Sequence, residues 1–221
     1  MRIRKKKWAP SELNSALFFE DLPRERRNHW KENFKRPDNP FWVELGCGKC
    51  LSTSLLAAGK PEVNILAIDL KSDILAVGKR NVDEAFENAG RYPDNIYLTA
   101  CNIENLRDIL GENDKIDRLL INFCNPWPKA GDHKHRLTHT RMLKSYKEFL
   151  KPQSLVVFKT DDDDLFIGTR DSYFPEAGFQ IVDEIWDLPL DHEESRYISE
   201  HEKKFRAEGL PIHYMVAKPI F

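Results

Sequence analysis

The chain has 221 residues, 41% of them hydrophobic, 32% charged and 11% aromatic, with a formal net charge of −2 and a pI near 6.4. That length carries one domain with a sizeable core, and the composition excludes a disordered chain. The small net charge excludes a protein that coats nucleic acid indiscriminately, so a nucleic-acid role requires local basic patches.

In chain order, the first feature is the basic tract Arg2, Arg4, Lys5, Lys6 and Lys7. It has the charge of a signal-peptide start, but the following WAPSELNSALFFEDLP lacks an uninterrupted apolar stretch. No later apolar run is long enough to span a bilayer, and a cytoplasmic location is expected. Pro23 to Phe34 is charged and helix-compatible, and the prolines of RPDNP, Arg36 to Pro40, break it. Residues 1–40 are therefore expected to form a basic arm with a helical extension, and residues 41–221 the core of a single domain.

Seven strand candidates follow: Phe41 to Gly46, Asn64 to Leu70, Asn95 to Ala100, Asp117 to Phe123, Ser154 to Thr160, Gln180 to Trp186 and Ile212 to Lys218. Helical patterns lie between the earlier ones, at Leu51 to Ala58, Ser72 to Asn88 and Thr140 to Leu150. Parallel strands need such crossovers, so the pattern predicts an α/β fold with a mostly parallel, seven-stranded sheet. In the helix from Ser72, Ile74, Val77, Val82, Ala85 and Phe86 predict the buried stripe.

In an open parallel sheet, ligands bind beyond the carboxyl ends of the strands. The first strand ends in Glu44-Leu45-Gly46-Cys47-Gly48-Lys49-Cys50, where Gly46 and Gly48 allow a tight turn and close approach of a ligand. A dinucleotide fingerprint would place a third glycine where Leu51 stands, which disfavours a nicotinamide cofactor. Asp69 ends the second strand at the distance where a carboxylate can accept bonds from both ribose hydroxyls; the alternative is a helix-opening surface acid. Asn102, after the third strand, can pair with an adenine edge or cap a turn.

After the fourth strand comes Asn125-Pro126-Trp127-Pro128-Lys129, followed by a basic segment ending Arg136-Leu137-Thr138. This stretch resembles the signature of bacterial tRNA (guanine-N7)-methyltransferases. The likeness extends through Met1-Arg2-Ile3-Arg4, Trp8-Ala9, the turn from Glu44 to Gly48, Lys159-Thr160-Asp161, Ser199-Glu200-His201-Glu202 and Lys204-Phe205, then Gly209, Pro211 and Ile212. It implies a Rossmann-like class I methyltransferase fold with helices on both faces of the sheet, S-adenosylmethionine as cofactor and tRNA as partner. It also implies that Glu44, Gly46, Gly48, Asp69, Asn102 and Asn125 line the cofactor site. Lys129, Asp161 and the segment Ser199, Glu200, His201 and Glu202 are the implied substrate contacts, and Lys129 and Arg136 suit phosphate oxygens.

Three positions depart from the family pattern: Asn125 stands for an aspartate regarded as catalytic, Asn102 for a common acid, and Cys50 for a glycine. They bear on rate and cofactor affinity more than on fold. Guanine N7 carries a lone pair and no proton, so its methylation needs alignment and nearby negative charge rather than a general base, and Asn125 can still position the base. Trp127, between two prolines, reads as a rigid wedge. Cys47, Cys50, Cys101 and Cys124 read as small apolar residues, and no metal is expected. A noncatalytic module binding S-adenosylmethionine or tRNA, motivated by Asn125 and Asn102, and a small-molecule methyltransferase are the alternatives. No obligate protein partner is evident, which suits a monomer or weak homodimer.

Overall fold

The computed structural model describes residues 6–221; Arg2, Arg4 and Lys5, and the Met1 to Arg4 part of the family likeness, lie outside the described residues. Two compact units divide the chain, Met1–Gly111 and Glu112–Phe221.

The first unit has four parallel strands, β1 (Phe19–Glu20), β2 (Phe41–Leu45), β3 (Asn64–Asp69) and β4 (Ile96–Ala100), in the order β1-β4-β3-β2. Ile65, Leu66, Ala67 and Ile68 are all buried, as a strand with neighbours on both sides and no solvent-facing residues requires. The registers Leu45↔Ile68 and Asp69↔Ala100 bring the carboxyl ends of β2, β3 and β4 to one edge. Among the described residues, the α-helices of this unit are α1 (Ala9–Asn14), α2 (Leu51–Gly59) and α3 (Ser72–Asn88). Asn95 closes the end of α2, its Nδ2 reaching the carbonyls of Ala57, Lys60 and Val63, and so satisfies acceptors that a helix terminus leaves over.

In the second unit β5 (Ile116–Asn122) runs parallel to β6 (Leu150–Thr160). Strand β8 (His213–Pro219) lies antiparallel between β6 and β7 (Phe179–Ile185). The helices are α4 (Thr140–Lys147), α5 (Asp163–Gly168), α6 (Phe174–Glu176) and α7 (Glu200–Ala207). Asn122↔Lys159 and Thr160↔His213 place the ends of β5 and β6 beside the start of β8.

All seven expected strands form, and the pairing is mostly parallel. An eighth, β1, adds Phe19↔Leu98 and Glu20↔Thr99; two residues are too few to show an alternation. The expected helix from Pro23 to Phe34 is instead two 3₁₀ turns, Pro23–Arg26 and Trp30–Asn33, separated where Asn28 takes a φ of 74° that no helix accommodates. The buried stripe of α3 is Leu75, Ala76, Gly78, Val82, Ala85 and Phe86, so its first turns are rotated from the expected Ile74 and Val77. Among the described residues no helix is long and apolar enough to cross a membrane.

Candidate functional site

At the end of β2 the chain folds back sharply, with the N–H groups of Gly46 and Cys47 both donating to Ile68 O, at 2.8 and 3.1 Å. Gly46 and Gly48 take φ values of 78° and 56°, which cost a glycine little. A Cβ at Gly48 would meet nothing within 4 Å, so the turn borders open space that a ligand can enter. Asp69 holds this turn: Oδ2 accepts from Gly48 N at 3.0 Å and Oδ1 from Lys71 N at 2.9 Å. Each carboxylate oxygen keeps a lone pair, so this local structural role leaves acceptors open to a ligand. Glu44 is buried, 3% exposed, and its carboxylate accepts from the Thr53 hydroxyl on α2. Sequence gave no pointer to Thr53, whose partner is fixed by how α2 follows the turn.

Asn102 is exposed, and its Oδ1 accepts from Glu104 N at 3.1 Å, capping the 3₁₀ turn Ile103–Asp108. It also lines a cavity of about 440 Å³ with Asp21, Arg24, Cys101, Asn105 and Asp108. Cys50 adopts a left-handed φ of 55° at the start of α2, and its Sγ lies 3.3 Å from Cys47 Sγ. Burial, with Cys50 adding to it, pushes the Cys47 thiol well above the ordinary range. Among the described residues no three metal-ligating side chains gather.

In the second unit, Phe123 N donates to Lys159 O at 2.8 Å as β5 ends, and the loop from Cys124 to His139 begins. Burial pushes the Cys124 thiol up to about 12. Asn125 is exposed, and its Oδ1 accepts from Trp127 N at 3.1 Å, an Asx turn that does not engage the amide nitrogen. Trp127 has a φ of 46° and packs 5.3 Å from the His135 ring, in keeping with a wedge. Lys129 is exposed.

Arg136 departs from expectation. It is 1% exposed, donating from Nε to Pro126 O at 2.7 Å, from Nη1 to Tyr173 Oη at 3.3 Å and from Nη2 to Asp164 Oδ2 at 2.5 Å. A guanidinium turned inward on three acceptors is the strut of the loop, not the exposed cation the sequence predicts.

Asp161 is half-buried just beyond β6. Burial lifts its carboxyl above the ordinary range, its own N–H opposes this, the charge of Asp162 adds to it, and His201 and His213 oppose it. Ser199 Oγ accepts from Glu202 N at 3.0 Å as the N-cap of α7. Glu200 and His201 are exposed on the first turn. Glu202 is a second correction: at 0% exposure it faces the interior, paired with Lys159 Nζ at 3.2 Å and Arg206 Nη2 at 2.8 Å. Buried charges require such partners, so Glu202 braces β6 against α7.

A family described as "Putative methyltransferase" matches residues 38–215. A tRNA (guanine-N(7)-)-methyltransferase from Clostridium beijerinckii is 44% identical over 98% of both chains. One from Clostridium perfringens is 41% identical over the full length of both. Among solved structures, an antibiotic-related methyltransferase superposes with a TM-score of 0.63 at 16% identity, covering 91% of this chain and 96% of that one, and so shares the Rossmann-like methyltransferase fold. With identity above 40% over the entire length, the chain belongs to the tRNA (guanine-N7)-methyltransferase family.

Proposed function

We propose that this chain transfers a methyl group from S-adenosylmethionine to N7 of a guanine in tRNA, as a cytoplasmic enzyme whose residues 41–221 act as one catalytic core. The observation that carries this is the full-length likeness to relatives bearing that name. The geometry at the end of β2 fits the cofactor: a glycine turn bordering open space, with the Asp69 carboxylate beside it. When bound, S-adenosylmethionine supplies the methyl group and keeps the S–C electron pair on sulfur. Gly46 and Gly48 admit its close approach, Asp69 accepts from its ribose hydroxyls, Asn102 meets the adenine edge, and Glu44 stiffens the turn from below.

On the substrate side, Lys129 contacts phosphate and Asn125 donates its amide to the guanine O6. Asp161, Glu200 and the cap at Ser199 border the base. N7 has no proton to lose, so these groups act by alignment and by placing negative charge near a ring that becomes cationic. Asn125 supplies no charge, which raises the barrier relative to an aspartate without abolishing transfer. Purified protein incubated with labelled S-adenosylmethionine and undermodified tRNA should yield 7-methylguanosine on nucleoside analysis, and Asn125→Asp should be at least as fast. An inert wild type beside an active Asn125→Asp would instead establish a binding module.

A further inference from the structure

We propose that Phe123 and Phe205, with His201 at their rim, form an aromatic platform that receives the target guanine and stabilises the positive charge methylation places on it. The proposal rests on the guanine-N7 assignment above and names the surface that discriminates neutral base from cationic product.

Phe123 sits where β5 ends, with a φ of 51°, a left-handed conformation that costs an aromatic residue about 1–2 kcal/mol. Such strain persists only where its surroundings over-determine it, here by the bond from its N–H to Lys159 O. The ring of Phe205, on α7, lies 6.1 Å away and is tilted by 36°. His201, one helical turn before Phe205, lies 6.2 Å from it at 32°. Both phenylalanines are half-buried and His201 is exposed, so the cluster reaches the surface. His201 also exerts a charge effect on Asp161, the carboxylate proposed above to border the base.

A ring face attracts a cation through its quadrupole. The face of Phe205 already does so: Lys204 Nζ lies 5.6 Å from its centroid, with Glu208 at 3.8 Å as an alternative partner. Guanine arrives neutral and, as the N7 lone pair forms the new N–CH3 bond, gains one delocalised positive charge without losing any atom. Stacking that strengthens as this charge grows favours the transition state over the ground state, which is what raises a rate. Neither phenylalanine can act on a proton, so the effect is one of positioning and charge stabilisation.

The test is calorimetric titration of the purified protein with GMP and with 7-methyl-GMP, beside single-turnover methylation of tRNA. Wild type should prefer 7-methyl-GMP by about 5- to 30-fold. Phe205→Leu, which keeps apolar bulk and removes the π face, should bring that preference within about 2-fold and slow single-turnover methylation by about the same 5- to 30-fold. Its S-adenosylmethionine affinity and melting temperature should stay at wild-type values, and Phe205→Tyr should restore both preference and rate. Phe123→Leu should reproduce the loss. A wild type without preference for 7-methyl-GMP, or Phe205→Leu and Phe123→Leu proteins that keep the preference and the rate, would overturn the platform while leaving tRNA methylation standing. Absence of 7-methylguanosine from wild-type reactions would overturn the assignment beneath it.

Discussion

Asp69 combines an observed structural tie with a proposed ligand contact, and two substitutions weigh one against the other. Its carboxylate ties Gly48 N and Lys71 N, and in the proposed site it also accepts from ribose. Asp69→Ala should therefore weaken S-adenosylmethionine binding by about 10- to 100-fold, since charge-assisted bonds contribute about 1.5–3 kcal/mol each, and lower the melting temperature as well. Asp69→Asn, which keeps one acceptor oxygen, should recover more stability than affinity. Unchanged calorimetric affinity in a folded Asp69→Ala protein would remove the residue from the site. Arg136 poses the converse case. Its removal leaves Pro126 O without its donor and empties a buried volume, while Asp164, well exposed, is simply rehydrated. Arg136→Ala should thus cost about 2–3 kcal/mol in chemical denaturation, less than removing one partner of a fully buried pair. The hydrogen bond from Arg136, ahead of the opposing effect of burial, holds the Asp164 carboxyl below the ordinary carboxylate range. A depressed carboxyl stabilises the fold above its unfolded value, about 3.9, and that contribution is lost as pH falls through the lowered one. Asp164→Asn should accordingly flatten the acid limb of the stability profile, which denaturation at pH 7 and at stepwise lower values would read.

The strands and the turn at Gly46 to Gly48 were legible because short apolar runs ending in glycine or an acid are local signals, and the parallel edge follows from their crossovers. Orientation of charged side chains was not local. Arg136 turns inward to Asp164 and Tyr173, 28 and 37 residues away, and Glu202 to Lys159, 43 residues away. Nothing within either local segment announces those partners; Ser199 Oγ caps α7 by accepting from Glu202 N, while the Glu202 carboxylate is drawn to a buried lysine. The departure at Cys50 shows a compensation between elements. A left-handed Cys50 projects its Sγ to 3.0 Å from where a Cβ on Gly78 of α3 would stand. Gly78→Ala alone should therefore destabilise the protein, although alanine is favoured over glycine inside a helix by about 1 kcal/mol. Cys50→Gly relieves the left-handed strain and clears the space, so the same Gly78→Ala placed on it should stabilise. A double-mutant cycle by urea denaturation checks this: additive effects would show that Cys50 and Gly78 are not fitted to each other.

At the scale of the whole molecule, 34 basic and 36 acidic side chains nearly cancel, so affinity for a polyanion has to come from where the charges lie. The loop after β5 and helix α4 expose Lys129, Lys134, Arg141 and Lys144, while most other basic residues with described partners are tied to acids, as Lys79 and Arg80 are to Glu12. Arg141 also donates to Lys134 O at 3.2 Å, which holds the two ends of the basic stretch together. Each lysine that meets a phosphate releases condensed counterions, so the logarithm of tRNA affinity should fall linearly with the logarithm of salt concentration. Replacing Lys129 and Lys134 by alanine should reduce the magnitude of that slope by about 1.4 to 1.8, the release expected from two contacts on single-stranded to duplex nucleic acid. Arg136→Ala should leave the slope unchanged, because its guanidinium is already spent on Pro126, Tyr173 and Asp164. Filter-binding titrations at several salt concentrations separate the two: a slope that responds to Arg136 and not to the lysines would place the RNA against a different surface from the one the exposed loop presents.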